Sequence, residues 1–206
     1  MSGEKRALSC AEQPIGEWVA SLAAKQPTPG GGAAAAVAAA IGAASGAMAA
    51  IYTTRKKDEE AKEEVHGTVA TKARKVSEGL TAAATSMVFV GDKDAEAYAE
   101  LQATWKKDCA LSEDEKKAVQ QKALSVPVDL VRSCHEQAAV VADFLPQCNP
   151  NIVSDAKVAL HLLSGAARAA FQTVLVNSPP EELKAELRGL LDEMAAFEAK
   201  ALPPSA

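Results

Sequence analysis

Aromatic residues are scarce: Phe, Tyr and Trp together supply 4% of the 206 residues. A core of ordinary size must then be assembled from small side chains, which requires element backbones to approach closely. Cys10, Cys109, Cys134 and Cys148 include no CxxC pair, and this spacing gives no zinc signature. His66 and His161 lack any nearby metal-ligand spacing. Cys134 and His135 are neighbours, about 100° apart on a helix, and cannot form a dyad with each other. Positive charge is in deficit, 22 Lys and Arg against 27 Asp and Glu, net −5. That balance argues against a general nucleic-acid binder. No period-two alternation and no hairpin dipeptide marks a strand. The opening MSGEKRALSC has no apolar stretch of leader length, and the closing ALPPSA is no lipidation motif. The expectation is one soluble, cytoplasmic domain over residues 1–206.

Alanine fills the gap. Pro27–Ala50 reads PTPGGGAAAAVAAAIGAASGAMAA, and twelve of the eighteen residues from Ala33 to Ala50 are alanine. Gly30-Gly31-Gly32 allows a bend and a close approach of backbone to another group. The alanines behind it favour a smooth helix, whose first turn presents free N–H groups able to meet an anion. The uncharged run from Gln26 to Thr54 is long enough to cross a bilayer. It lacks leucine and an aromatic belt, and no second span accompanies it, so a membrane location is not expected.

Helical periodicity continues along the chain. Ile15, Trp18, Val19 and Leu22 form one face behind Pro14. The alanine helix is expected to end near Thr54, with Arg55-Lys56-Lys57 at its C-terminus. Val65 to Val90 forms a long amphipathic helix that Gly91 is expected to break, and a further helix carries Ala95, Tyr98 and Trp105. Ser112 and Glu115 make a capping box, and Pro127 should kink the helix behind it. Ser154 is expected to cap the next helix, which reaches Val176, and Ser178-Pro179-Pro180-Glu181 opens the last. The fold class is therefore all-α, a bundle of about seven helices. Alanine-rich faces and the Leu183–Phe197 stripe suggest a two-fold dimer.

Candidate chemistry is sparse. Asp92 and Asp94 stand at a predicted helix junction, where carboxylates serve as caps or, facing a cleft, as a general acid or base. Cys148-Asn149-Pro150-Asn151-Ile152-Val153-Ser154-Asp155 is a polar turn before a helix, with capping as its plain role. Asn177 suits a C-cap. Lys56, Lys57, Lys106 and Lys107 read as a solvated face unless a ligand brings carboxylates.

Five segments taken in order, PTPGGGAAAAVAAAIGAASGAM, VGDKDAEAY, VPVDLV, CNPNIVSDAKVA and VLVN, resemble the formiminotransferase-cyclodeaminase C-terminal domain and the stand-alone methenyltetrahydrofolate cyclohydrolases. The likeness runs from about Ile15 to Asn177. It implies an all-helical homodimer acting on a one-carbon derivative of tetrahydrofolate, with no metal and no separate cofactor. It places the catalytic aspartate at Asp94, with Asp92 second. It implies ligand contacts from Gly30, Gly31, Gly32, Asn149, Asp155 and Asn177, and from Lys106 and Lys107 toward the anionic glutamate tail. Against the family pattern, Ala33 stands for a serine, Cys148 for a glycine and Thr173 for an asparagine, and Trp105-Lys106-Lys107-Asp108 replaces a Leu-Pro-Lys loop. The implied activity is ring closure of 5-formiminotetrahydrofolate with release of ammonia. The alternatives are hydrolysis of 5,10-methenyltetrahydrofolate, or a helical dimer that binds folate or a protein without catalysis.

Overall fold

The structure is a computed structural model that describes residues 9–202; the leader and lipidation readings rest largely on residues outside that range. Seven α-helices are described: α1 (Ile15–Ala23), α2 (Gly31–Ile51), α3 (Lys56–Glu60), α4 (Val69–Thr104), α5 (Glu113–Phe144), α6 (Val153–Val176) and α7 (Glu181–Ala201). The expected all-α class holds. α2 lies in the groove between α4 and α6, α5 packs beneath these two, and α7 closes against α5 and α6.

The close approach expected of an alanine-rich core is visible at two glycines of α2. A Cβ at Gly42 would stand 3.1 Å from the Leu162 and Leu163 side chains of α6. At Gly46 it would stand 3.0 Å from Val141 of α5 and 3.1 Å from Leu80 of α4. A helix-interior glycine costs roughly 1 kcal/mol relative to alanine, and here the dense contact with three neighbouring helices offsets that cost. By length and composition α2 and α6 could each cross a membrane, so α2 is not the sole candidate; both contribute buried residues to this bundle's core.

Several local expectations are corrected. Gly91 does not break a helix: it is buried inside the continuous α4. A Cβ there would meet Cys10 Sγ at 2.9 Å and Ala33 at 3.6 Å, so tertiary packing determines its place. Asp92 and Asp94 consequently sit within α4 and do not cap the start of a helix of their own. Val65 lies in a turn, because Lys62–Glu63 and Gly67–Thr68 form a small antiparallel ladder with Gly67 at φ 85°. Thr68 then caps α4 by accepting the Thr71 N–H. Arg55 does not end α2: it precedes α3, and the Asp58 carboxylate accepts its backbone N–H at 2.9 Å and its Nε–H at 2.7 Å. Ser154 is not a cap either; its hydroxyl donates to Asp155 at 3.1 Å. The Ser112–Glu115 capping box forms as expected, and α5 passes through the fully buried Pro127 without interruption.

Candidate active site

The N-terminus of α2 has no side-chain cap of its own, because its N-cap residue is Gly30. Asp94 of α4 occupies that end. A Cβ at Gly32 would overlap the Asp94 carboxyl group, Oδ1, Cγ and Oδ2 together, and the Ala33 N–H faces the same carboxyl closely enough to lower its pKa. Burial raises the Asp94 pKa above the ordinary carboxylate value, with the Ala33 N–H acting against the shift. A carboxyl so placed holds its proton to higher pH than an exposed one.

Asp94 faces a cavity of about 930 Å³. One wall is the first half of α2 with Gly30, Gly31 and Gly32; Pro27 and Thr28 form the rim beside it. The second wall is the end of α4, with Ala97, Tyr98, Leu101 and the following Trp105. The third is the end of α6, where Gly165, Ala166 and Ala169 give way to Gln172, Thr173 and Asn177. Asp94 is the one ionisable acid or base among the described lining residues apart from the Tyr98 phenol. Tyr98 and Trp105 meet edge to face, ring centroids 6.4 Å apart, and Trp105 is 63% exposed. Such a site is mostly apolar with a few convergent polar groups, and it is large enough for a fused-ring ligand.

The structure thus brings together Gly30, Gly31, Gly32, Asp94 and Asn177. Asn177 is also the C-cap residue of α6, and its amide donates to the Thr173 carbonyl at 2.9 Å. Asp92 turns away and accepts the Cys10 backbone N–H at 2.8 Å. Lys106 and Lys107 are exposed in the turn after Trp105, beside the mouth and outside the lining. Asn149 lies at the other end of α2, about 30 Å away along the helix at 1.5 Å per residue. There its amide donates to the Tyr52 carbonyl, its N–H donates to Thr53 Oγ1, and its Oδ1 accepts from Arg55 at 2.6 Å. Asp155, in the first turn of α6, belongs to that end as well.

Tyr98, Trp105, Gln172 and Thr173 were not singled out for the site by sequence reasoning. The usable signal was scarcity: in a chain 4% aromatic, Tyr98 and Trp105 sit two helical turns apart. The departures from the family pattern separate spatially. Ala33 is fully buried and would contact a Cβ placed at Gly91, and Cys148 is buried beside Thr53; neither lines the cavity. Thr173 and Trp105 do. Among the described residues no group of three His, Cys, Asp or Glu side chains is disposed to hold a metal ion.

Fold and site together define an all-helical protein whose cleft is built on a glycine-led helix capped by a partly buried aspartate from a neighbouring helix. The chain belongs to the formiminotransferase-cyclodeaminase family, whose model matches residues 14–196. Its structure is similar to that of formiminotetrahydrofolate cyclodeaminase from Thermotoga maritima, with TM-score 0.74 and 25% sequence identity, over 93% of this chain and 92% of that one. No curated protein sequence gives a significant match.

Proposed function

We propose that this protein closes the ring of 5-formiminotetrahydrofolate to give 5,10-methenyltetrahydrofolate and ammonia. The observation that carries the reading is Asp94, the one carboxyl in a mostly apolar cavity of folate-compatible size. N10 of the substrate, whose formimino group is protonated as an amidinium, attacks the formimino carbon and forms a tetrahedral carbon bonded to N5, N10 and the amino nitrogen. The Asp94 carboxylate takes the proton from N10 and passes it to the amino nitrogen. The carbon–amino bond then breaks, ammonia leaves, and the N5–carbon–N10 bridge remains. One group performs both transfers, which suits a carboxyl whose pKa is raised toward neutrality. Tyr98 and Trp105 offer faces for the pterin or aminobenzoyl ring, and Lys106 and Lys107 outside the mouth meet the glutamate tail. The buried positions of Ala33 and Cys148 support retained catalysis, since their changes leave the cavity wall untouched.

The test is turnover of purified protein, followed by methenyl absorbance and released ammonia. Ammonia release that falls at least a hundredfold in Asp94→Asn is the expected result. Hydrolysis of methenyltetrahydrofolate without deamination would give the cyclohydrolase reading. Tight folate binding with neither turnover would give the binding-protein reading.

The protein is also proposed to act as a homodimer. Ile41, Met48 and Tyr52 are exposed along the outer face of α2, and Val158 and Val176 along that of the adjacent α6. Apolar stripes on adjoining helices suit an isologous contact. Gly30 and Tyr52 are equally far from Ile41 in sequence, so an antiparallel α2–α2 pairing would set the Arg55–Asn149 end of one copy beside the cavity of the other. Light scattering should show a dimer that Ile41→Asp converts to a monomer; a dilute, fully active monomer would oppose the proposal.

A further inference from the structure

The three glycines ahead of the alanine run do not share one environment. A Cβ at Gly31 would meet nothing within 4 Å, and at Gly30 only the Pro27 carbonyl at 3.9 Å. Both residues line the cavity, so a side chain there would take ligand space and disturb no protein atom. At Gly32 the volume of a Cβ is already filled by the Asp94 carboxyl. Gly32 is buried, and the N–H of the next residue, Ala33, faces this carboxyl.

We propose that Gly32 is a positioning residue: the missing side chain forms the seat that holds the Asp94 carboxyl against the first turn of α2 and directs it at the cavity. This rests on the reading of Asp94 as the proton carrier. The physical argument has three parts. α2 begins without a Ser, Thr, Asp or Asn cap, so its first N–H groups need an acceptor from elsewhere. A carboxylate on a helix N-terminus satisfies both those donors and the helix dipole. Asp94 reaches that position from the middle of another helix, so it must approach the α2 backbone more closely than any Cβ permits. Gly30 and Gly31 then make room for the ligand, while Gly32 makes room for the protein's own acid. Displacing that acid by an ångström or so is enough to lose on the order of a hundredfold in rate.

Two readouts test the assignment. The first is a stability cycle that needs no folate. Gly32→Ala should lower Tm by roughly 4 °C or more, and adding Asp94→Ala, which removes the overlapping atoms, should recover most of that loss. Adding Asp94→Asn, which keeps those atoms in shape, should not. Additive effects of Gly32→Ala and Asp94→Ala would overturn the proposal, whatever reaction the protein catalyses. The second is kinetic. Gly32→Ala should lower kcat about a hundredfold with little change in KM, and should move the acid limb of the kcat/KM profile to lower pH as the carboxyl enters water. Gly31→Ala should raise KM and leave kcat within a few-fold. If Gly32→Ala instead raises KM as Gly31→Ala does, with the pH profile unmoved, Gly32 serves ligand approach and the positioning role is wrong. Should Gly32→Ala alone be too unstable to assay, its recovery by Asp94→Ala still decides the matter through folding.

Discussion

The backbone N–H of Cys10 donates to Asp92 Oδ1 at 2.8 Å, fastening the segment ahead of α1 to the middle of α4. Asp94, two residues on, points instead to the α2 N-terminus and the cavity. Two carboxylates that look alike in the sequence therefore do different work. Asp92→Ala should cost about 1–2 kcal/mol of stability by leaving the Cys10 N–H without its acceptor. Turnover should stay within a few-fold of the parent. Urea unfolding together with kcat measures both, and a rate loss matching that of Asp94→Asn would assign Asp92 to the chemistry.

Asp94 carries a stability signature of its own. Its folded pKa is raised by burial, so between the unfolded and folded values the folded state holds more protons. Stability contributed by this group therefore falls as pH rises through that window and stays low at neutral pH. Asp94→Asn, which cannot ionise, should be at least as stable as the parent at pH 7 while losing activity. The difference should vanish well below pH 4, where both carboxyl states are protonated. Thermal melts across pH 3–8 give the comparison, and an Asn variant that is less stable only at neutral pH would contradict the sign.

Trp105 is exposed at the cavity and Trp18 is buried elsewhere. Folate binding should therefore change the emission of Trp105 selectively. Trp105→Leu should remove the ligand-dependent change and raise KM about tenfold, the loss expected for one ring-stacking contact, with kcat nearly intact. A ligand-dependent change that survives in Trp105→Leu would move the ring-binding site away from this wall.

The far end of α2 depends on Asn149, which is buried and bonded to Tyr52, Thr53, Arg55 and Asn151. Asn149→Ala should destabilise by about 1–3 kcal/mol, since the Tyr52 carbonyl, the Arg55 guanidinium and the Asn151 N–H lose their side-chain partner together while the backbone bond to Thr53 stays. In the same knot, hydrogen bonds from Arg55 hold the Asp58 carboxyl below its usual pKa. The sign is opposite to that of Asp94: the Asp58 contribution is present above the ordinary carboxylate pKa and is lost as pH falls through the lowered value. Asp58→Asn should thus be destabilising at pH 7 and nearly neutral in strong acid, as denaturant titrations at the two pH values would show.

Much of this organisation was legible in the chain. The alanine run fixed a close-packed helix, because a side chain of one carbon can do little else in a core. The 3.6-residue periods fixed the long helices, the Ser112–Glu115 pair fixed the start of α5, and the ordered motifs pointed to Asp94 and the glycine turn. Gly91 was misleading because propensity alone makes glycine a breaker, whereas here its lack of a side chain admits Cys10 and Ala33. Asn149 and Asp155 carried motif signals equal to that of Asn177, yet only the path of α2 and α6 separates them from the cavity within one protomer. Helix type and capping are local, written within a few residues of one another. Which carboxyl reaches which helix end depends on contacts between segments sixty residues apart, and the GGG turn is where that difference shows: the letters are identical, and only the packed neighbours reveal that Gly32 lies against an acid while Gly31 borders open cavity.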